Sequence, residues 1–367
     1  MNPYNVLPLF RQGVFHGKNA NIHLFCVGRR YISMTKDMTQ GSPLKLLLAF
    51  AVPLMLGSLF QQFYNLADTI IVGRFVGVEA LAAVGSVGGL NYLVLGFVNG
   101  IACGFSIPIS WTFGAHDHHE MRRYTANTVW LSIAFATVLT IVTVAMTHLV
   151  LVWTNTPADI IDLADIYIRT IFAGIPFTLL YNVTSALMRA LGDSKRPLYF
   201  LLVASVLNIG LDLACIILFN MGVFGAAVAT GISQLVTCIS YFVHFFSKKC
   251  TFRLCKFRFD PHLYARILPI GLSDGVTELC TGLMIFLFNR TVLKCIGTDG
   301  VVTYTVIAYV TTIVINLMVG ISQGSQPLVS YHYGKEDHTG CQKLLRYALT
   351  TVCIFAPALF LLVFFFA

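Results

Sequence analysis

Nine apolar stretches, each long enough to cross a lipid bilayer as a helix, dominate this sequence of 367 residues. One crossing takes about 20 apolar residues, and lipid offers no partner to open backbone groups, so helices are the predicted form. Only 11% of the residues are charged, against about 25% in soluble domains. The sequence therefore predicts an all-α, multi-pass membrane protein. The predicted spans are 46–72, 80–108, 125–152, 163–188, 197–220, 222–246, 266–289, 300–328 and 347–367.

Lysine and arginine are divided unevenly between the two sets of loops. With the N-terminus in the cytoplasm, the cytoplasmic segments hold 20 of the 24 Lys and Arg residues; Arg74, Arg290 and Lys294 lie on the other side, and Arg169 lies within the fourth span. Cytoplasmic loops carry such an excess, so we predict a plasma-membrane protein with a cytoplasmic N-terminus. The asymmetry also accounts for the net charge of +8, and we expect membrane lipid, not nucleic acid, as a partner.

An internal repeat relates the two ends of the chain. A shift of 220 residues superposes Gly77-x-Glu79-Ala80 on Gly297-x-Asp299-Gly300, and it also pairs Gly100 with Gly320, Gly104 with Gly324 and Gly114 with Gly334. The first and seventh spans match only after a four-residue gap, which sets Pro53 against Pro269. Because six spans separate the copies, both enter the membrane from the same side. This is the parallel kind of repeat known in transporters.

The repeat predicts how the chain is organised. The spans at about 160–247 predict counterparts near 380–467, beyond Ala367. We therefore predict two six-helix bundles, the second truncated after its third helix; a genuine nine-helix protein is the alternative. The predicted segments are an N-terminal extension, disordered or preceding the true start (1–33), the first bundle (34–247), a basic cytoplasmic linker (248–263) and the truncated second bundle (264–367).

Polar residues recur at helical spacing inside two spans of the first bundle. Gln61, Asn65 and Asp68 stand at i, i+4 and i+7 in the first span, and Asn208 and Asp212 are four apart in the fifth. Each set shares one helix face, and the two acids lie at similar depth. A carboxylate inside the membrane costs about 2.5–3.5 kcal/mol on insertion scales, so it usually marks function. The pattern predicts a cation or proton site; a structural hydrogen-bond cluster is the alternative.

A second set of acids lies in the seventh span, where Asp274, Glu278 and Thr281 repeat the same spacing. It predicts a second, cavity-facing site. Glu278 is the stronger candidate, because Asp274 is nearer the cytoplasmic end, where simple solvation is the alternative.

Other signals exclude several classes of function. The run His116-Asp-His118-His119 lies in a short charged loop and is interpreted as solvated, so no metal site is predicted. No phosphate-binding Gly-Lys-Ser/Thr loop is present, and no nucleophile–base arrangement suggests an enzyme.

Several motifs resemble those of one transporter family. In the first span the sequence reads Gln61-Gln-Phe-Tyr-Asn65-Leu-Ala-Asp68-Thr-Ile-Ile-Val-Gly73. Further along come Leu187-Met-Arg189-Ala-Leu-Gly192-Asp193-Ser-Lys-Arg-Pro197, Asn208-x-x-x-Asp212, Gly222-Val-Phe-Gly225-Ala-Ala-Val-Ala-Thr230, Gly320-Ile-Ser-Gln-Gly324-Ser-Gln-Pro327 and Tyr331-His-Tyr-Gly334. In this order they resemble the multidrug and toxic compound extrusion (MATE) family, over about Met34 to Ala367.

The resemblance implies a twelve-helix carrier that exports cationic, amphipathic compounds in exchange for Na⁺ or H⁺, with no cofactor besides the coupling ion. We expect it to be a monomer. It matches Asp68, Asn208 and Asp212 to the family's first-lobe ion site, and Glu278 to a coupling or substrate acid. Three alternatives stay open: a lipid-linked precursor flippase of the same superfamily, a membrane-embedded enzyme, and a non-transporting fragment.

Overall fold

The computed structural model describes Met38 and residues 41–154, 156–246, 259–296 and 298–366. Within these ranges the chain forms ten α-helices and no β-strand, which confirms the predicted all-α fold. The predicted extension (1–33) and most of the predicted linker (248–263) lie outside the described residues, and their assignments stay predictions.

Seven helices form what we call the first lobe, and three form the second lobe. The first lobe comprises α1 (Pro43–Phe75), α2 (Val78–Gly114), α3 (His118–Trp153), α4 (Ala158–Ala173), α5 (Ile175–Ala190), α6 (Lys195–Leu213) and α7 (Gly222–Phe246). The second lobe comprises α8 (Pro261–Ile296), α9 (Thr298–Gly334) and α10 (His338–Phe366). Helix α8 thus begins within the predicted linker. The loops 115–117, 191–194 and 335–337 lie at one end of the bundle. We call it the basic end, because Lys and Arg residues in the adjoining helix ends flank these loops, and the sequence predicts that this end is cytoplasmic.

The helices have the dimensions and surface of membrane spans. By length and apolar composition, six of the helices in the described ranges could each cross a bilayer, and α4 with α5 would make a seventh. Helices α8 and α9 are not in this set, although they are 36 and 37 residues long. Large apolar side chains such as Ile141, Leu149 and Val206 are 65%, 64% and 73% exposed, as expected of helices that face lipid. The protein is a multi-pass membrane protein.

The fourth predicted span, 163–188, is broken in two. Helix α4 ends at Ala173 and α5 begins at Ile175, with a bend of 45° between them. Pro176 is the second residue of α5, and because proline has no backbone N–H it removes one helical hydrogen bond there. The bend turns α5 so that it packs against α2, α3 and α7.

The fifth predicted span, 197–220, also changes conformation along its length. After Leu213 the α-helix gives way to a π-helical turn, Ala214–Leu218. This turn begins two residues after Asp212. Single π-helical turns inside helices occur frequently at functional sites.

The two lobes meet along α1, α2, α8 and α9. Helix α2 packs against α8, and α1 packs against α9. The repeat relates these two pairs, since α1 corresponds to α8 and α2 to α9. The repeated glycines lie at the crossings: a Cβ added to Gly114 would lie 1.9 Å from the Tyr331 carbonyl oxygen, and one added to Gly334 would lie 1.9 Å from that of Trp111. Only glycine permits this approach of two backbones.

The same contacts give the register of the repeat. Gly104 faces Gly271, and Gly324 faces Ala51; Gly100 faces Gly275, and Gly320 faces Met55. A shift of 220 residues with no gap converts the Gly104–Gly271 contact into the Gly324–Ala51 contact, and it converts Gly100–Gly275 into Gly320–Met55. The sequence alignment of Pro53 with Pro269 is therefore wrong at this contact. It paired two prolines, whereas the close packing requires a glycine of α2 or α9 at each contact.

Candidate functional site

The acids predicted in the first and fifth spans lie together inside the first lobe. Asp68 projects from α1 and Asp212 from α6, and their carboxyl groups adjoin each other. Asp212 is 0% exposed. Oδ1 of Asp68 and both carboxyl oxygens of Asp212 are buried without a hydrogen-bond partner in the described structure. The structure thus brings Asp68 and Asp212 together, while their role as a cation or proton site stays a prediction.

Asn208 completes the cluster one helical turn before Asp212. Its side chain is buried at 2% exposure, and its Nδ2 donates to Oγ1 of Thr230 on α7 at 3.4 Å. Its Oδ1 accepts no hydrogen bond in the described structure. The cluster therefore presents four buried oxygens, from two acids and one amide, that lack donors.

Buried oxygen atoms that receive no hydrogen bond favour the binding of a positive ion. Buried polar atoms normally find partners, and an unsatisfied one costs about 1–3 kcal/mol. A hard cation or a proton would supply the missing positive partner, because carboxylate and amide oxygens are the usual ligands of such cations. These oxygen atoms are suitable ligands for Na⁺ or H⁺, and their negative charge disfavours an anion.

Two residues that the sequence reasoning did not select also belong to this cluster. Thr230 receives the Asn208 hydrogen bond, and it is the last residue of the motif that begins at Gly222, so a signal for it existed. Tyr167 on α4 lies near both Asp68 and Asp212. A single tyrosine in an apolar helix carries no sequence signal, and only the bend between α4 and α5 and the packing of α4 on α7 show its position.

Gln61 and Asn65, by contrast, are not brought into the buried cluster. Both side chains are exposed, although they share a helix face with Asp68 by spacing. Gln61 lies beside Tyr64 of the same helix. Residue spacing shows that three side chains share a helix face, but it cannot show whether the whole face is buried or only the part near Asp68.

The second set of acids lies at the contact between the lobes. Oδ2 of Asp274 accepts a hydrogen bond from Nε2 of Gln326 on α9 at 3.2 Å, and the Asp274 backbone carbonyl packs against Gly100 of α2. Glu278 lies one turn further along α8, next to Gly96 and near Tyr92. Simple solvation of Asp274 is therefore wrong as an interpretation: this acid is half-buried and bonded between helices.

The histidine-rich loop has a structural explanation. Oδ1 of Asp117 accepts from the backbone N–H groups of His119 and Glu120 at 3.1 and 2.9 Å and so caps α3. Among the described residues, no group of three or more His, Cys, Asp or Glu side chains could hold a metal ion.

Two packed lobes related by a parallel repeat, with acids buried in one lobe and at the contact between lobes, define a polytopic membrane protein of the two-lobed transporter class. Comparison with known proteins agrees. The MatE family model matches residues 53–214 and 275–367. The chain belongs to this family, whose members are transporters rather than enzymes.

Curated relatives are multidrug proteins of bacteria. The chain is 29% identical over 259 residues to a probable multidrug resistance protein of Bacillus subtilis, YoeA, covering 68% of this chain and 56% of that protein. It is 35% identical over 205 residues to a second from the same organism, YpnP, covering 54% of this chain and 44% of that protein. The chain thus spans about half the length of these relatives.

Solved structures show the same fold. An outward-facing multidrug resistance MATE family transporter of the MOP superfamily superposes with a TM-score of 0.85 at 25% identity, covering 92% of this chain and 75% of that one. A MOP superfamily transporter from Pyrococcus furiosus, for which a binding pocket of reversed polarity suggests a different function, superposes with a TM-score of 0.82 at 25% identity, covering 90% and 76% of the chains.

Proposed function

We propose that this protein is a secondary active efflux transporter that exports cationic or amphipathic small molecules in exchange for Na⁺ or H⁺. The observation that carries the proposal is the buried cluster of Asp68, Asn208 and Asp212 with its four unpartnered oxygens. A site of this kind is costly in a membrane unless an ion binds there.

The conformation of the lobes supports alternating access. At the basic end the lobes touch backbone to backbone, through Gly114 and Tyr331 and through Gly334 and Trp111. Toward the other end, an added Cβ at Gly85, Gly88 or Gly89 of α2 would meet no atom within 4 Å. If the basic end is cytoplasmic, this is a state closed to the cytoplasm. The similarity to an outward-facing transporter supports that assignment.

In the proposed cycle, the ion acts on the packing of α1 against α6. An ion at Asp68 and Asp212 neutralises two adjoining carboxyl groups on these two helices, so it favours the conformation in which they stay close. The shift between states can be no larger than the difference in ion affinity between them. Export follows if the conformation favoured by the ion binds the substrate less tightly and releases it outward.

The acids at the lobe contact support a cationic substrate. Asp274 and Glu278 place negative charge where α2, α8 and α9 meet, and they would repel the pyrophosphate of a lipid-linked precursor. For a transporter of the same superfamily, reversed polarity of the binding pocket suggests a different function, so we take the charge of the lining, rather than the fold, as the guide to substrate class. This is our reason for preferring drug export to the flippase alternative.

The test is dye export by proteoliposomes that contain the 367-residue chain. We expect a cationic fluorescent dye to be driven out by an imposed Na⁺ or H⁺ gradient, and Asp212→Asn to abolish that transport. Absence of export under both gradients would favour the non-transporting alternative. Transport of an anionic lipid precursor but not of cationic dyes would favour the flippase.

A further inference from the structure

A stripe of polar residues follows one face of α5 from mid-helix to the basic end. Tyr181, Ser185 and Arg189 are spaced four apart, so they lie along the same side of the helix. At 1.5 Å per residue the stripe is about 12 Å long. Ser185 is buried at 6% exposure, and Arg189 is half-buried. The proposed function does not account for any of these residues.

The stripe connects with the acid cluster through tyrosines. Tyr64 lies on α1 one turn before Asp68 and near both Asp68 and Tyr181. The rings of Tyr181 and Tyr241 are 5.9 Å apart between centroids. Tyr241 on α7 is 0% exposed, and its hydroxyl lies near Ser185 and Arg189. Side chains that carry hydroxyl groups therefore lie near one another between Asp68 and Arg189.

Arg189 lies at the end of this row of side chains, and its positive charge contacts only neutral groups among the described residues. Its Nη1 donates to Oγ of Ser185 at 2.8 Å, and its Nη2 approaches Sγ of Cys103 on α2 at 3.7 Å. Asp193, one turn further on, pairs instead with Nε of Arg196 at 3.2 Å. Within the described ranges no ion pair of Arg189 is found. Cys103 in turn lies near Asp274 and Glu278, which contribute negative potential across α2.

A polar path from a coupling site to the far side of the membrane is harmful to an ion-coupled carrier. Protons pass along chains of hydroxyl groups, and a leak through the lobe would dissipate the gradient without export. Fixed positive charges exclude protons and cations from such paths in channels. The effect is large in a lobe interior, because charges interact more strongly where the dielectric constant is low.

We propose that Arg189 is an electrostatic barrier that prevents the coupling ion from leaking along the tyrosine path between the Asp68–Asp212 cluster and the basic end. This inference rests on the proposed ion coupling. The alternative is that Arg189 only ties α5 to α2 through Cys103. The two ideas differ over charge: a barrier needs the charge, whereas a tie needs hydrogen-bond donors.

The test measures ion leak with no substrate present. Proteoliposomes containing the 367-residue chain and an internal pH dye receive a proton gradient, and parallel vesicles with a sodium dye receive a Na⁺ gradient. We expect Arg189→Gln to leak at least several-fold faster than wild type for one of the two ions, and Arg189→Lys, which keeps the charge, to stay tight. Arg169→Gln is the matched control, because Arg169 is half-exposed and paired with Asp165 at 3.0 Å; it should not leak.

A second substitution separates a path through the lobe from general misfolding. Adding Tyr181→Phe to Arg189→Gln removes one hydroxyl from the path, so the leak should fall back toward the wild-type rate. A tight Arg189→Gln protein, an equally leaky Arg189→Lys protein, or a leak that Tyr181→Phe does not reduce would each overturn the inference. The leak assay needs no substrate. If the variants leak as expected but the wild-type protein exports no dye, that result would count against the proposed function and not against the barrier.

Discussion

Gly114 and Gly334, which are 220 residues apart, make the same contact with opposite lobes: each packs against a backbone carbonyl three residues before the other, that of Tyr331 and that of Trp111 respectively. The ring pairs Phe113–Tyr331 and Trp111–Tyr333, with centroids 5.2 and 5.7 Å apart, surround the crossing. The basic end is therefore closed by backbone contact, and any added atom must separate the lobes.

Gly114→Ala should weaken this closure. The added Cβ would lie 1.9 Å from a carbonyl oxygen, and overpacking of this kind costs about 1–3 kcal/mol. We expect a lower midpoint of thermal unfolding in detergent, and the same for Gly334→Ala. Gly85→Ala on the same helix is the control. Its Cβ would meet nothing within 4 Å, so the better helix propensity of alanine should leave stability equal or slightly higher. A Gly114→Ala protein as stable as Gly85→Ala would contradict the closure.

Asp212→Asn should abolish ion-driven export while leaving the amount of folded protein unchanged. The amide keeps the shape of the side chain but removes the charge that the ion neutralises. Asp68→Asn should behave similarly, and the double variant should be little worse than either single one, because residues acting as a unit are not additive. The measurement is gradient-driven dye export at matched protein content.

The control for the acid pair is Asp162→Asn, which changes an exposed acid on α4 and should export normally. Normal export by both Asp68→Asn and Asp212→Asn would show that these acids form only a structural cluster.

Thr230→Val should weaken ion binding without abolishing transport. The change removes the hydroxyl that accepts from Asn208 and leaves the amide free to turn, at a cost of about 0.5–1.5 kcal/mol. We expect the ion concentration for half-maximal export to rise by up to about tenfold. Thr237→Val is the matched control, because this buried threonine on the same helix donates to its own helix at Ser233. Equal shifts in the two variants would place Thr230 outside the ion site.

Glu278→Gln should raise the substrate concentration for half-maximal export of a cationic dye, by about tenfold if the charge contributes about 1.4 kcal/mol. Its maximal rate and its dependence on the ion should change little, since the first-lobe cluster is intact. Glu336→Gln, in an exposed loop at the basic end, serves as the control. If the glutamine variant instead loses ion dependence at unchanged dye affinity, Glu278 belongs to coupling rather than to substrate binding.

Much of the fold could be predicted from apolar length and glycine spacing, because a bilayer leaves few alternatives to helices and a repeat carries its own register. The convergence of Asp68 with Asp212 was predictable from depth. The positions of Tyr167 and Gln326 were not, since they depend on how helices turn about their axes, and that rotation comes from packing. The break at Gly174 was visible only as Pro176, because proline marks where a helix can bend but not by how much.

The register of the lobe contact also bears on how such a chain could have arisen. When residue 104 meets 271 and residue 324 meets 51, the 220-residue shift turns each of these contacts into the other, which is the rule for an isologous interface between identical subunits. The first lobe consequently carries both halves of the surface, Ala51 with Met55 and Gly100 with Gly104. Made by itself, the segment 34–247 should pair with a second copy about a two-fold axis along the membrane normal, as a homodimeric ancestor encoded by an unduplicated gene would have done.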